Sequence, residues 1–561
     1  MAIYNIHPDK RYQKQNLALI MVIPGKGKPK DLESFLAPVF EELKHLSNIG
    51  IKVVTGDEGT ITAKIHLMTF IGDIPAVSVA KAVILRLVWM YFVGRTDPSL
   101  IRQPNEFKDG GPQGIGASAV ARLPTFTGPH FFGLDEMHMI GHGLSKMLLA
   151  LFQPSQSNPM VVDGDNRRNY PFFLGPLMMS SVGQDMLCSQ PDIPESFFNG
   201  IWDDIDKYPG SARAVDWMDF LLFAVPTLIV PSLHHSDARQ VINNLIKSIH
   251  LCLSWKLSSA RISFIKTSID NFQDYLAWNI TAGHLNRKCC TINLHYLGHV
   301  SFIIQCLGPL PIFSCRSLER TIGHYKSKSL PKSSPGSSYQ LILEKQSSSN
   351  INHALAALGE GSVPDLMLLG KPDRSSAPPD PVSYDILHDA TMQYFQRQGN
   401  HNIPFTYNFD LSYHRSIKLK GKVYRSLFFN PAGTTVNLGQ STVLFTTGSN
   451  DYFFGVVHFF FHVQLAGCSH NLLSLQLLKG VSKSNRVDSN IYPTWRHAEG
   501  FYDPLIVINI DSMVDGVGII TDSTHSDIKH LVPSRQHIWN LTVLTNFDDI
   551  LEFKLRSSRL Y

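Results

Sequence analysis

Paired cysteine chemistry is the first thing this chain lacks. Its cysteines (Cys188, Cys252, Cys289, Cys290, Cys306, Cys315 and Cys468) are odd in number and show no Cys-x-x-Cys spacing. That argues against a disulfide framework and a zinc ribbon and fits a reducing intracellular compartment. Net charge is also scarce: 50 basic residues stand against 46 acidic ones, a balance of +4. No global field draws the chain to a polyanion, so any nucleic-acid contact has to come from local patches. The opening segment, MAIYNIHPDKRYQKQN, has charge from the start and no apolar core of a secretory signal. Long apolar runs are missing too. Lys81 and Arg86 interrupt Ile74–Val93, and Trp217–Val230 is short and contains Asp219 and Pro226; both read as buried core, and no membrane association is expected. No internal repeat is evident.

What is present suits a large globular protein. With 561 residues and 43% apolar composition, two or three domains with sizeable cores are expected. The stretch Asn16–Val77 reads as strand, helix, strand: a short apolar run Leu17–Ile23 ended by Pro24-Gly25, and an apolar helix face of Leu32, Phe35, Leu36, Val39, Phe40, Leu43 and Leu46. Asp31 is placed to cap that helix, and a second strand, KIHLMTFIGDIPAV, stops on the carboxylate of Asp73. From Ala212 to His284 the pattern is helical, with Asp237 expected to cap a helix bearing Val241, Ile242, Leu245, Ile246, Ile249, Cys252 and Leu253. Ser, Pro and charge dominate from about 327 to 395, which reads as a partly disordered tether with a short helix near Ala354–Leu358. From 396 onward, β-branched and aromatic runs such as YFFGVVHFFFHVQLAG and GVGIITD indicate a small β-rich domain, a barrel or a strongly bent sheet.

Four blocks carry a resemblance. They are VIPGKGKPKDLESFLAPVFEELKHL with KIHLMTFIGDIPAV, then GPHFFGLDEMHMIGHGLSK at Gly128–Lys146, AVDWMDFLLFAVPTLIVP at Ala214–Pro231, and NLHYLGHVSFIIQCLGPLPIFSCRSLERTIGHYK at Asn293–Lys326. In this order they resemble the core of CACTA (En/Spm-type) DDE transposases, especially the divergent fungal-type versions. The resemblance implies an α/β fold, an RNase H-like mixed sheet with a large helical insertion (about 128–300) spanning residues 1–326, followed by the tether and the β-rich module. It also implies DNA strand cleavage and transfer by two divalent ions, Mg²⁺ or Mn²⁺, held by carboxylates. The second family Asp falls on Asp73, the Glu on Glu319, and the Asp-x-x-His signature on Asp135 and His138. Transposon-end DNA as partner, self-association and a nuclear location follow from the resemblance alone; without it the chain reads as cytoplasmic and not secreted.

Each assignment has a plainer reading beside it. Asp73 can be a strand-end cap for the following turn. Glu319 can pair with Arg316 or lie beside Arg320 on a solvated helix face. Arg316, Arg320, Lys326, Lys328 and Lys332 stand against Glu319 alone in Arg316–Lys332, a patch suited to DNA phosphates or simply to solvent. Asp135, His138 and His142 share one side of a helix weakened by Gly141 and Gly143, which suits an orienting role better than zinc binding. His295 and His299 repeat the i, i+4 spacing near Cys289 and Cys290, and such a pair is more often core or surface than metal site.

Two departures from the family count against catalysis. The family's first catalytic Asp lies upstream of the VIPG block, where this sequence has only the short segment containing Asp9, which lacks a strand pattern. No cysteine stands before Cys188 to form the family's zinc-knuckle-like stretch. The expectation is therefore a truncated, catalytically defective transposase relative, with a non-catalytic DNA- or protein-binding remnant as the alternative.

Overall fold

The computed structural model describes residues 2–13, 16–17, 20–21, 31–55, 59–72, 105, 119–128, 131–153, 169–194, 202–328, 340–342, 344, 366–369, 381–404, 406–427, 438–446, 451–482, 492–502, 505–524, 528–533 and 542–543. In chain order these hold α1 (Leu32–Asn48), the hairpin β1 (Ile51–Thr55) and β2 (Gly59–Ala63), and a π-helical turn Met137–Leu144 that runs into α2 (Ser145–Phe152). Then come α3 (Pro176–Ser189), α4 (Ala214–Asp219) continued by π-helical Phe220–Ile229, α5 (Ser236–Cys252), α6 (Ser259–Thr281), α7 (Ile292–Leu297), α8 (Val300–Leu307) and α9 (Arg316–Lys328). The remainder is mostly strand: β3 (Leu366–Leu369), α10 (Pro381–Arg397), β4 (Leu411–His414), β5 (Ser416–Leu419), β6 (Lys422–Arg425), β7 (Thr442–Thr446), β8 (Asp451–Leu465), β9 (Cys468–Leu477), β10 (Thr494–Arg496), β11 (Ile506–Asn509), β12 (Met513–Asp522), β13 (Ile528–Pro533) and β14 (Thr542–Val543). The chain is mixed α/β with a β-rich C-terminal part.

It divides into two compact units: Met1–Leu148 with Gln156–Val162 and Leu251–Ser362, and Leu149–Ser155 with Asp163–His250 and Val363–Tyr561. The division differs from the expected one, because much of the helical insertion belongs with the β-rich part.

In the first unit, α1 starts as its sequence predicts: the Asp31 side chain accepts the Ser34 N–H at 3.3 Å. Phe40 and Leu43 are buried against Val120, Leu123, Phe126, Phe131 and Phe132. Glu33 Oε2 accepts the Ala119 N–H at 3.0 Å, fastening the first turn of α1 to that cluster. The two strands predicted around α1 do not form ladders among the described residues. Leu17 makes an isolated antiparallel bridge to Ala2, and Phe70 a single parallel bridge to Phe132. The sheet of this unit, among the described residues, is instead the β1–β2 hairpin that follows α1. Asp73 lies outside the described residues.

In the second unit the large sheet runs β10-β13-β12-β7-β8-β9-β11. The long β8 organises it: β9 lines one edge from Gly455 to Leu465, while β7 and β4 take successive stretches of the other. Among the described residues the sheet is open, ending on β10 and β11, and the predicted barrel closure is not found. A separate three-stranded sheet, β3-β5-β6, touches it through Lys422, whose Nζ lies 2.8 Å from Asp515 Oδ1. Helix α3 lies on β12, where Ser189 Oγ accepts the Thr521 N–H at 3.0 Å and Asp185 Oδ2 the Ser523 N–H at 3.1 Å.

The stretch 327–395, expected to be a tether, contains β3 and most of α10. Leu387, Ala390, Met392, Tyr394 and Phe395 of α10 are buried with Phe409, Phe459 and Phe461. Their helical spacing is masked in sequence by the Pro- and Ser-rich flank. The short helix expected near Ala354–Leu358 lies outside the described residues. Helix α5 begins at Ser236, so Asp237 sits within its first turn rather than at the cap; its apolar face of Ile242, Leu245, Ile246, Ile249 and Cys252 is buried as expected.

The segment Ala214–Ser232 is long and apolar enough to cross a membrane by length and composition, yet 83% of that window is buried within the protein. It is a core helix that runs on through Pro226, which lies inside its π-helical stretch. Tyr492 supplies a donor: its Oη gives a hydrogen bond to Leu222 O at 2.8 Å and lies 3.0 Å from His250 Nε2 on α5. Tyr492→Phe is expected to cost about 1–3 kcal/mol in denaturant unfolding, since both buried polar partners lose the hydroxyl.

Both tight hairpins, β5–β6 and β8–β9, turn on two residues of positive φ, Lys420-Gly421 and Ala466-Gly467. That is the type I′ geometry, whose hand matches strand twist. Ala466 holds φ 52°, where a β-carbon is strained. Ala466→Gly is expected to leave the fold intact and raise the unfolding midpoint by an amount equivalent to about 0.5–1 kcal/mol.

Candidate functional site: the Asp135 junction

The block GLDEMHMIGHGLSK places two adjacent carboxylates, Asp135 and Glu136, just ahead of a π-helical turn. The turn is π because the chain reaches five residues back: both the backbone N–H and the Oγ of Ser145 meet Ile140 O. Gly143 explains how α7 comes so near, for a β-carbon there would lie 2.3 Å from Asn293 Cγ. Gly143, which weakens an α-helix, here permits a close crossing.

Asp135 is almost wholly buried, and each of its oxygens is occupied. Oδ2 accepts the His138 N–H at 3.0 Å and lies 2.5 Å from His138 Nδ1, while Oδ1 accepts the Cys315 N–H at 2.8 Å. Glu136, also buried, is held from the same distant segment. Ser314 Oγ donates to its Oε1 at 2.9 Å and Arg316 Nη2 to its Oε2 at 2.8 Å. Arg316 Nε stands 2.6 Å from Oε1, at an angle that makes it an ion contact rather than a second hydrogen bond. Two neighbouring acids thus fasten Ser314, Cys315 and Arg316, the entrance of α9, which lies 180 positions along the chain. Desolvation alone would push the Asp135 carboxyl up; the His138 ring, the Cys315 N–H, the His138 charge and the His138 N–H together outweigh it and hold the group below its ordinary value. His142, one turn on, is pushed down by burial and by the nearby Lys146 and His138.

The sequence-predicted residues fall unevenly on this arrangement. Asp135 and His138 are in contact, and Asp135 bonds to the segment that leads to Glu319. Glu319 itself is exposed in the first turn of α9, its N–H bonded to Cys315 O at 2.9 Å. Arg316 is not its partner: that guanidinium is committed to Glu136, which withdraws Arg316 from the DNA-contact set. Arg320 is exposed, with Nη2 3.3 Å from Ser317 Oγ. Lys326 and Lys328 lie on α9 but their side chains, and Lys332 altogether, are outside the described residues, as is Asp73. Sequence reading missed Glu136, Ser314 and the Cys315 amide; the one signal for Glu136 was a second acid in an otherwise apolar block.

Among the described residues, no three His, Cys, Asp or Glu side chains could together hold a metal ion. Asp135 and Glu136 have spent their oxygens on protein donors, and Glu319 faces solvent without a described carboxylate partner. These donors do not fit a two-metal centre. Comparison with protein-family models, with curated proteins and with solved structures gives no significant match to this chain.

The lowered Asp135 value ties this junction to pH. A carboxyl depressed on folding contributes stability that is complete above its ordinary value of 3.8 and lost as pH falls through the folded value beneath it. Asp135→Asn is expected to lower stability by about 3 kcal/mol at neutral pH. Urea unfolding of wild type and variant should show that gap narrowing as pH falls below about 4.

Proposed function

We propose that this chain is a transposon-derived protein of DDE-transposase ancestry, RNase H-like in its N-terminal core, that binds DNA through α9 and does not cut it. The observation that carries the reading is the junction itself. The Asp135–His138 pair and the block bearing Glu319, two of the four blocks that carry the resemblance, meet in space. The anchoring supports binding rather than cleavage. The buried acids are used to seat the first turn of α9, leaving Glu319 and Arg320 exposed, and Lys326 and Lys328 follow along the same helix. A helix seated in this way presents the exposed Arg320 to phosphates from a backbone already fixed in place. A nuclear location accompanies this reading.

Anisotropy titrations of the full chain against a duplex bearing terminal inverted repeats test it, run over a salt series with a parallel nicking assay in Mg²⁺ or Mn²⁺. Arg320→Ala is expected to weaken binding several-fold and flatten the salt dependence by about one ion. Glu319→Gln is expected to tighten binding roughly twofold, because it removes an acid from the phosphate path. No nicking should depend on Asp73. Nicking abolished by Asp73→Ala and by Glu319→Gln would overturn the non-catalytic reading in favour of an active DDE nuclease, and binding that is absent, or indifferent to both α9 substitutions, would remove DNA as the partner.

A further inference from the structure

Helix α7 ends at Leu297, Gly298 turns the chain, and His299 stands immediately before α8. That turn carries His299 back over His295. The two rings stand edge to face, with centroids 4.8 Å apart and planes at 83°, and their Nε2 atoms are 3.2 Å from each other. Two imidazoles bound to one tetrahedral zinc at about 2.0–2.1 Å place their nitrogens about 3.3 Å apart, so this pair already stands at ligand spacing. One shared proton satisfies such a pair; a metal ion engages both lone pairs.

The surroundings favour the metal. Both rings are half-buried, so an ion can reach them from solvent while their backbone stays fixed. Gln273 of α6 fixes it: its Nε2 donates to Leu294 O at 2.7 Å, and its amide lies close over Gly298. His138 and His142 have the same four-residue spacing and a different geometry. Their centroids are 6.3 Å apart on the wider π-helical turn, and His138 Nδ1 is engaged by Asp135. Spacing in sequence is common to both pairs; only His295 and His299 converge.

We propose that His295 and His299 form a two-imidazole site for a borderline divalent transition metal, Zn²⁺ foremost, whose remaining positions are left to water or an incoming ligand. Among the described residues no third His, Cys, Asp or Glu joins the pair.

The test is a calorimetric titration of chelator-treated full-length protein with Zn²⁺, together with Cu²⁺ electron paramagnetic resonance, on wild type, His295→Ala, His299→Ala and His142→Ala. Wild type and His142→Ala should bind the tightest equivalent alike, with two-nitrogen coupling in the Cu²⁺ spectrum. His295→Ala and His299→Ala should each weaken it about tenfold or more and leave at most one coupled nitrogen. Circular dichroism reports folding; should an alanine variant unfold, His299→Asn, which keeps a polar side chain and removes the ring, is read in its place. Equal Zn²⁺ affinity in wild type and in a folded His295 or His299 variant would overturn the site.

Discussion

Two adjacent carboxylates buried side by side impose the strongest constraint on the first unit. An ionised Asp or Glu removed from water is costly unless every lone pair finds a donor. Asp135 and Glu136 answer that demand with a segment far away in sequence: a backbone N–H, a serine hydroxyl and a guanidinium from residues 314–316. The chain cannot satisfy both acids without bringing the entrance of α9 to the π-helical turn. The junction therefore defines a tertiary contact of long sequence separation with a few well-directed bonds, and it fixes where Glu319 and the basic residues after it begin.

The second unit solves a comparable polar problem by different means. Its central apolar helix carries Pro226 in a π-helical stretch, and the Tyr492 hydroxyl donates to Leu222 O on the turn before it. His250 closes the group from α5. Here again a polar group from far along the chain reaches into an apolar core. The sheet beside it depends on β8, long enough to pair with β9 on one side and with β7 and β4 on the other. Residues buried on its faces supply its core.

Local features were legible in the sequence and distant ones were not. The Asp31 cap, the buried face of α5 and the aromatic strands of the C-terminal part could be read because each is decided within one or two turns or by period-two alternation. The Asp135–His138 contact was legible for the same reason, being three residues apart. Arg316 shows the limit. Sequence offered it Glu319 one turn away, whereas a buried acid 180 positions earlier takes it, because a desolvated carboxylate needs a cation more than an exposed one does. The α10 helix was hidden by its flank, and the strand expected to end on Asp73 found no ladder among the described residues. The convergence of His295 and His299 depends on a turn at Gly298 that spacing alone does not specify.

The central claim is that charge buried at Asp135 and Glu136 holds the start of α9 in place. Amide hydrogen exchange over residues 313–324, compared between wild type and Glu136→Gln, tests it most directly. The account predicts that protection falls by about tenfold or more across that segment while α6 keeps its own. Unchanged protection in the first turn of α9 would contradict it, and would mean that the helix is seated by apolar contacts without help from the acids.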